Sequence, residues 1–235
     1  MVQIRSSNKV LGSLEPATFQ RLLPHLEPVS LRQKQILYEP DAEIRHIYFP
    51  ETCVIVLVTM MQSGETIESM TVGREGVTWV PALSGATTMP CQTMVAIDGE
   101  ALRVDVDLLK REASQSEPLR ELLSRYSNAL LLHAVRSTAC NGVHTLDQRC
   151  ARWILMTLDR VEPSERFSIT HDFLAYLLGA SRQTVTTLMN EFAKKGYIES
   201  DRGSITVPER TRLERAACEC YSVIKEQFAK VWTGQ

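Results

Sequence analysis

The stretch Ile169–Gly203 (ITHDFLAYLLGASRQTVTTLMNEFAKKGYIESDRG) constrains this chain more than any other. Phe173, Leu174, Leu177 and Leu178 keep helical spacing, and Gly179 supplies the permissive residue that a sharp helix exit needs. Ser181 follows as a natural N-cap, its hydroxyl placed to accept from an amide two or three residues on. Val185, Leu188, Met189 and Phe192 then recur at i, i+3, i+4 and i+7, so a second helix buries one face. At about 100° per residue, Gln183, Thr187, Asn190 and Lys194 point the other way, flanked by Arg182 and Thr186. After Gly196, Tyr197–Ser200 alternates like a strand, Asp201–Ser204 reads as a turn, and Ile205–Val207 alternates again. Two helices about a tight turn with a hairpin behind them predict a winged helix-turn-helix.

The free face of the second helix carries arginine, glutamine, threonine and asparagine and few carboxylates. Arginine reads guanine bidentately, glutamine and asparagine read adenine, and threonine takes a phosphate or a thymine methyl. Arg182, Gln183, Thr186, Thr187 and Asn190 are therefore the candidate base readers. Arg202, at the tip of the hairpin, is placed to reach a phosphate. The segment Gly179-Ala180-Ser181-Arg182-Gln183-Thr184-Val185, with the hairpin after it, resembles the family of the cyclic-AMP receptor protein and the fumarate-nitrate regulator (Crp/Fnr). The likeness is specific here and weaker, but consistent, over nearly the whole chain. It implies a homodimeric transcription regulator on a two-fold site in double-stranded DNA, with RNA polymerase as protein partner. It also implies that Thr170, Ser181, Thr184 and Arg202 hold phosphates. Gln183 stands where the family usually has glutamate, and Thr187 where it has a later arginine. The preferred DNA sequence should therefore differ from that of the cyclic-AMP receptor protein.

Charge is the counterweight. The chain has 235 residues and a formal net charge of −2, so it lacks a global basic footprint. Residues 141–235 carry 13 Lys and Arg against 12 Asp and Glu, so basic charge has to be local. With 44% apolar residues a substantial core is available, enough for two domains. No window approaches the ~18 apolar residues of a membrane span, and the start lacks a secretory h-region. Six cysteines then read as reduced thiols, and a cytoplasmic protein is expected.

In the N-terminal half, Ser13–Leu26 reads as a helix capped by Ser13. Short Val-, Ile- and Thr-rich runs follow at Ile44–Phe49, Val54–Met60, Thr66–Val72, Thr93–Ile97 and Ala101–Val104, separated by turn residues. Such spacing predicts a small antiparallel sandwich or barrel, and the family places a cyclic-nucleotide-binding β-roll there. The family pattern is a Gly-Glu-Leu-Gly-like turn and, some residues later, an Arg-Ser or Arg-Thr pair. Here the turn is Gly73-Arg74-Glu75-Gly76, and Pro90-Cys91 stands where the pair should fall. No Arg or Lys lies between Arg74 and Arg103. A buried cyclic phosphate without a cation is uncompensated. Gly73, Arg74, Glu75, Gly76 and Cys91 thus mark a degenerate effector pocket, with no cofactor expected.

Further on, Ser116-Glu117-Pro118 starts a long helix. Leu119, Leu123, Tyr126, Leu130, His133 and Ser137 recur at spacings of three and four, a coiled-coil-like seam that in the family would be the dimer axis. Asn141-Gly142 is expected to break this helix as a hinge. Thr145 and Gln148 form a capping box for the next helix, Val161–Ser168 reads as a linker, and Pro208 opens one long final helix.

Cys218 and Cys220, two apart on that helix, would point about 200° apart and not share an ion. No CxxC occurs, and no cysteine precedes Cys53, unlike the cluster-bearing branch of the family. A composite of Cys140, His144 and Cys218 or Cys220 is the arrangement left open; no metal is expected. Nor is an enzyme, for there is no Ser/His/Asp ordering and no P-loop. The competing reading is a small-ligand or redox sensor whose winged domain contacts proteins. The fold class expected is α+β, in three parts. A β-roll fills 1–110, a dimerisation helix with its hinge 111–141, and a winged helix-turn-helix with a long C-terminal helix 142–235.

Overall fold

The structure, a computed structural model, describes residues 6–201 and 203–233. Asn8 caps the short helix α1 (Lys9–Gly12), its Oδ1 accepting from the amides of Val10 and Leu11. Its Nδ2 donates to the carbonyls of Pro50 and Gly76 at 2.8 and 2.7 Å, which ties the N-terminal segment to the sheets. Helix α2 (Pro16–Leu22) starts on its own proline. The helix expected from Ser13 to Leu26 is therefore shorter, with Leu23–His25 as a 3-10 turn, and Ser13 ends α1 instead of capping α2.

Two antiparallel sheets follow. One holds β1 (Glu27–Leu31), β7 (Gly99–Asp105) and β3 (His46–Pro50); the other runs β2 (Ile36–Tyr38), β6 (Gln92–Ile97), β4 (Val54–Met60), β5 (Thr66–Val72). The β-rich runs of the sequence become β3 to β7, while β1 and β2 were not anticipated. Phe49, Ile55, Val56, Met89, Val95 and Val104 are among the most buried residues of this part, each at 1% exposure or less.

Helix α3 (Val106–Gln115) is capped by Asp105 and joins α4 (Glu117–Val143) at Ser116. The 27 residues of α4 run through Asn141 and Gly142 to an elbow at His144, whose amide still reaches the Cys140 carbonyl at 3.0 Å. The expected hinge at Asn141-Gly142 is thus helical. Thr145 opens α5 (Leu146–Val161), with Gln148 Oε1 accepting from the Thr145 amide at 3.2 Å as the capping box requires. The C-terminal part adds β8 (Arg166–Ser168), α6 (His171–Leu178), α7 (Arg182–Lys194), β9 (Glu199–Asp201), β10 (Ser204–Thr206), α8 (Arg210–Ala216) and α9 (Cys220–Thr233).

Two expectations fail around α9. The one long final helix is broken, because Ala217 leaves the helical region with ψ 158° and α9 starts afresh at Cys220. Helix α9 then lies antiparallel on α4, with Cys218 beside Cys140 at one end and Arg125 Nε donating to the Val231 carbonyl at the other. Leu119, Leu123, Tyr126, Leu130, His133 and Ser137, expected as a dimer seam, are all buried within this chain, none above 8% exposure. His133 sits edge-on to Phe228 with centroids 5.9 Å apart, and burial holds its pKa well below the usual value. The stripe was amphipathic as read, but its partners are the chain's own sheet and α9. What α4 shows outward is Asn128, Leu131, Val135, Thr138 and Gly142, alternately three and four residues apart, with Leu132 and Ala139 beside them.

Candidate DNA-binding surface

Helix α6 is built by an N-cap: Thr170 Oγ1 accepts from the Phe173 amide at 3.2 Å. It stops at Gly179, whose φ of 64° favours glycine. Ser181 caps α7 by accepting from the Thr184 amide at 3.1 Å. The apolar residues named from the sequence meet as expected: Phe173, Leu174, Leu177 and Leu178 pack against Val185, Leu188, Met189 and Phe192, all buried. The opposite face of α7 is open. Arg182, Gln183, Thr187 and Asn190 are exposed, and Thr186 is half-buried. Ser181, Thr184 and Thr170 are exposed as well, although their hydroxyls are engaged locally, Ser181 Oγ lying 2.8 Å from Thr184 Oγ1. Thr187 Oγ1 turns back to the Gln183 carbonyl at 3.1 Å, which leaves its methyl for outside contacts.

Sequence reasoning missed three contributors. His171 Nδ1 lies 3.2 Å from Thr186 Oγ1 and so locks α6 to α7 beside the base-reading candidates. The segment read as a linker contains β8, which pairs with β10, and β10 with β9, giving a three-stranded wing. The alternation of Arg166, Phe167 and Ser168 was its signal, hidden by the charged residues before it. The third contributor is the docking of the unit on the sheet. Thr66 Oγ1 donates to the Tyr176 carbonyl at 2.9 Å, and Gln33 Nε2 donates to the carbonyls of Ala96 and Ser168 at 2.9 and 2.8 Å. A Cβ on Gly179 would lie 3.2 Å from the Thr66 carbonyl oxygen, a tight contact that adds to the preference for glycine set by φ. Arg202, expected at the wing tip, lies outside the described residues.

The turn Gly73–Gly76 is occupied from within the chain. Glu75 pairs with Arg160 of α5 at 2.9 Å, the two residues 7% and 4% exposed. A Cβ on Gly76 would fall 1.9 Å from the Tyr126 hydroxyl, and one on Gly73 2.4 Å from Arg160 Cγ, so both glycines are demanded by side chains packed onto the turn. Arg74 points away from the sheets, pairing with the Glu162 carboxylate and donating to its carbonyl at 3.2 Å. Cys91 is half-buried at the far side, 3.6 Å from Thr59 Oγ1.

A second constellation stands where α4 ends. Cys140, His144, Cys218 and Cys220 offer ligand atoms that all lie within 4.8 Å of one another. The expectation that Cys218 and Cys220 diverge assumed an unbroken helix; with the chain extended at Ala217 and Cys218, both thiols turn the same way. The thiol hydrogen bond between Cys140 and Cys218 holds Cys218 down at about 6, with help from the charge of Arg152, and holds Cys140 up.

An exposed polar helix on a two-helix scaffold, with a three-stranded wing beside it, defines a winged helix-turn-helix DNA-binding protein. Residues 148–216 match the Crp-like helix-turn-helix domain. A CRP-like cAMP-activated global transcriptional regulator of Mycobacterium tuberculosis is 23% identical, the match covering 92% of this chain and 100% of that protein. In fold, the chain is similar to FixK2 of Bradyrhizobium japonicum, with a TM-score of 0.69 and 17% identity over 82% of this chain and 98% of that one. It is also similar to a transcriptional regulator of the crp/fnr family from Eubacterium rectale ATCC 33656, with a TM-score of 0.66 and 16% identity over 89% and 98% of the two chains. The protein is a DNA-binding transcription regulator with a Crp-like helix-turn-helix domain, and its fold is similar to that of Crp/Fnr regulators. None of its described helices is long and apolar enough to cross a membrane.

Proposed function

We propose that two copies of this chain bind a two-fold DNA site, pairing along the exposed stripe of α4 and reading bases through the open face of α7. The observation that carries the reading is that face: Arg182, Gln183, Thr187 and Asn190 stand free on a helix whose other side is fully buried. Thr170, Ser181, Thr184 and Arg202 are the phosphate-holding set, and Thr186 adds to the readers. The dimer axis moves one face round α4 from the stripe first expected. Leu131 and Val135 are 63% and 60% exposed and, with Asn128, Thr138 and Gly142, repeat as coiled-coil core positions do. In such a dimer the half-sites lie about one helical turn, roughly 34 Å, apart. RNA polymerase is the expected protein partner of the bound dimer. The division into a β-roll, a dimerisation helix and a winged domain belongs to this reading too.

Selection from a randomised DNA pool followed by gel shift tests it. Arg182→Ala should weaken binding to the selected site by about 1–3 kcal/mol per half-site and relax the preference at one base pair. An equal loss on selected and scrambled DNA would show that Arg182 does not read sequence.

The mycobacterial relative is described as cAMP-activated, and the same ligand is not proposed for this chain. A cyclic phosphate needs a charge-assisted donor set. The basic residue nearest the turn by sequence, Arg74, is committed to Glu162, and Glu75 to Arg160. Calorimetry with cyclic AMP and cyclic GMP should give no micromolar binding. Tight binding that raised DNA affinity would mean that Arg74 turns inward.

A further inference from the structure

Three thiols and an imidazole from separate segments converge at the end of the long helix, and the DNA-binding reading uses none of them. Cys140 lies on the last turn of α4 and His144 at its C-cap, while Cys218 lies on the break after α8 and Cys220 opens α9. The three cysteines are 0%, 4% and 1% exposed and form a group apart from the main core. Cys140 Sγ and Cys218 Sγ are 3.5 Å apart, and Cys220 Sγ and His144 Nδ1 are 3.7 Å apart. A tetrahedral zinc ion with Zn–S of about 2.3 Å and Zn–N of about 2.0–2.1 Å has ligand-to-ligand edges of roughly 3.6–3.8 Å. The two separations match such edges, and with all four atoms within 4.8 Å of one another a small inward shift closes the rest around one ion. In an iron–sulfur cluster, by contrast, four protein ligands are shared among two or four irons and so spread further apart as a set.

Two neighbours complete the set. His144 turns Nδ1 toward the thiols, and its Nε2 lies 3.1 Å from the Glu219 carboxylate. A metal-bound histidine is oriented in this way, giving its second N–H to a carboxylate. Arg152 is 7% exposed, bonds only to Ser137 Oγ at 3.3 Å and Met156 Sδ at 4.0 Å, and has no carboxylate partner among the described residues. Three thiolates, a neutral imidazole and a divalent ion carry one net negative charge, which the Arg152 cation offsets.

We propose that Cys140, His144, Cys218 and Cys220 bind a single Zn²⁺ ion as a tetrahedral Cys₃His site. Each thiol gives its proton to solvent as its sulfur bonds the metal. A disulfide between Cys140 and Cys218 would use two of the four groups and leave Cys220, His144 and its carboxylate without a role. The ion joins three segments, the end of α4, the elbow at His144 and the α8–α9 break, and so fixes the angle at which the long helix hands over to the DNA-binding part. It does so from outside the β-roll.

The test is metal content and affinity of the full chain, purified under reducing conditions and incubated with zinc. About one zinc per chain is expected, and cobalt in its place should give the visible spectrum of a tetrahedral thiolate site. Cys218→Ser should lose that spectrum. Glu219→Gln changes a side chain that is 65% exposed, so folding is not at stake, and it should weaken zinc by about 10- to 100-fold. Failure to take up zinc, unchanged zinc affinity in both variants, or an iron–sulfur chromophore after anaerobic purification would each overturn the proposal.

Discussion

Arg160→Met is expected to cost about 3–5 kcal/mol of stability, the loss typical when one partner of a buried ion pair is removed. The reason is Glu75. Its carboxylate is 7% exposed, its Oε1 is paired with Arg160 at 2.9 Å, and its Oε2 has no other hydrogen-bond partner among the described residues. Arg160 also donates to the Met156 carbonyl at 2.8 Å and lies over the Phe228 ring at 5.9 Å, so it joins the turn, α5 and α9. For a chain of this size such a loss lowers Tm by roughly 6–20 °C. Removing the stranded charge as well, in Arg160→Met with Glu75→Gln, should restore part of the loss. Denaturant unfolding checks both; a single-variant loss under about 1 kcal/mol would mean that water reaches Glu75.

Leu131→Glu with Val135→Glu is expected to act on assembly and leave the fold intact. Both side chains are more than half exposed in the single chain, so charging them removes little internal packing. In a parallel pair they would face each other across the axis, where glutamates repel and cannot be desolvated. Sedimentation should show monomers. Affinity for a two-fold site should then fall by about 100- to 10,000-fold, because the second half-site no longer binds intramolecularly. A variant that remains dimeric would place the contact elsewhere on the surface. The choice of Leu131 over its neighbour Leu130 matters, since Leu130 is 8% exposed and its replacement would test folding.

The helix-turn-helix was legible because its determinants are local. Gly179 and Ser181 mark the turn, and the apolar spacing on either side fixes which residues pack; all of them do. The β-roll was legible where strands are long and β-branched, as in β4. It was not legible at β1, which contains Pro28, or at β2, only three residues long. Periodicity revealed an apolar stripe on α4 but not its partner, because that depends on α9, which arrives far along the chain. Leu119 and Tyr126 therefore looked like an interface and are core. The thiol constellation was legible only in part, as Cys140 and His144 with one of Cys218 and Cys220 but not with both, for a related reason. Between Pro208 and Val231 no glycine or proline announces a break, so Cys218 and Cys220 read as one helix, and only the turn at Ala217 brings them together. For the DNA face the residue types were on the page, whereas the His171–Thr186 lock needed the two helices in place.

The docking of α6 on β5 has a mechanical consequence. Thr66 holds the Tyr176 carbonyl, Gly179 sits against the Thr66 backbone, and Gln33 spans from Ala96 to Ser168. Trp153 of α5 reaches the Glu68 carboxylate on the same strand. The reading head is thus tied to a sheet edge by direct contacts. A displacement of the β4–β5 hairpin carries α6 with it, and α7 follows through the shared apolar face. In the proposed pairing along α4, moving one head relative to its own sheet would first have to break these contacts, so the cheaper adjustment is to turn whole protomers.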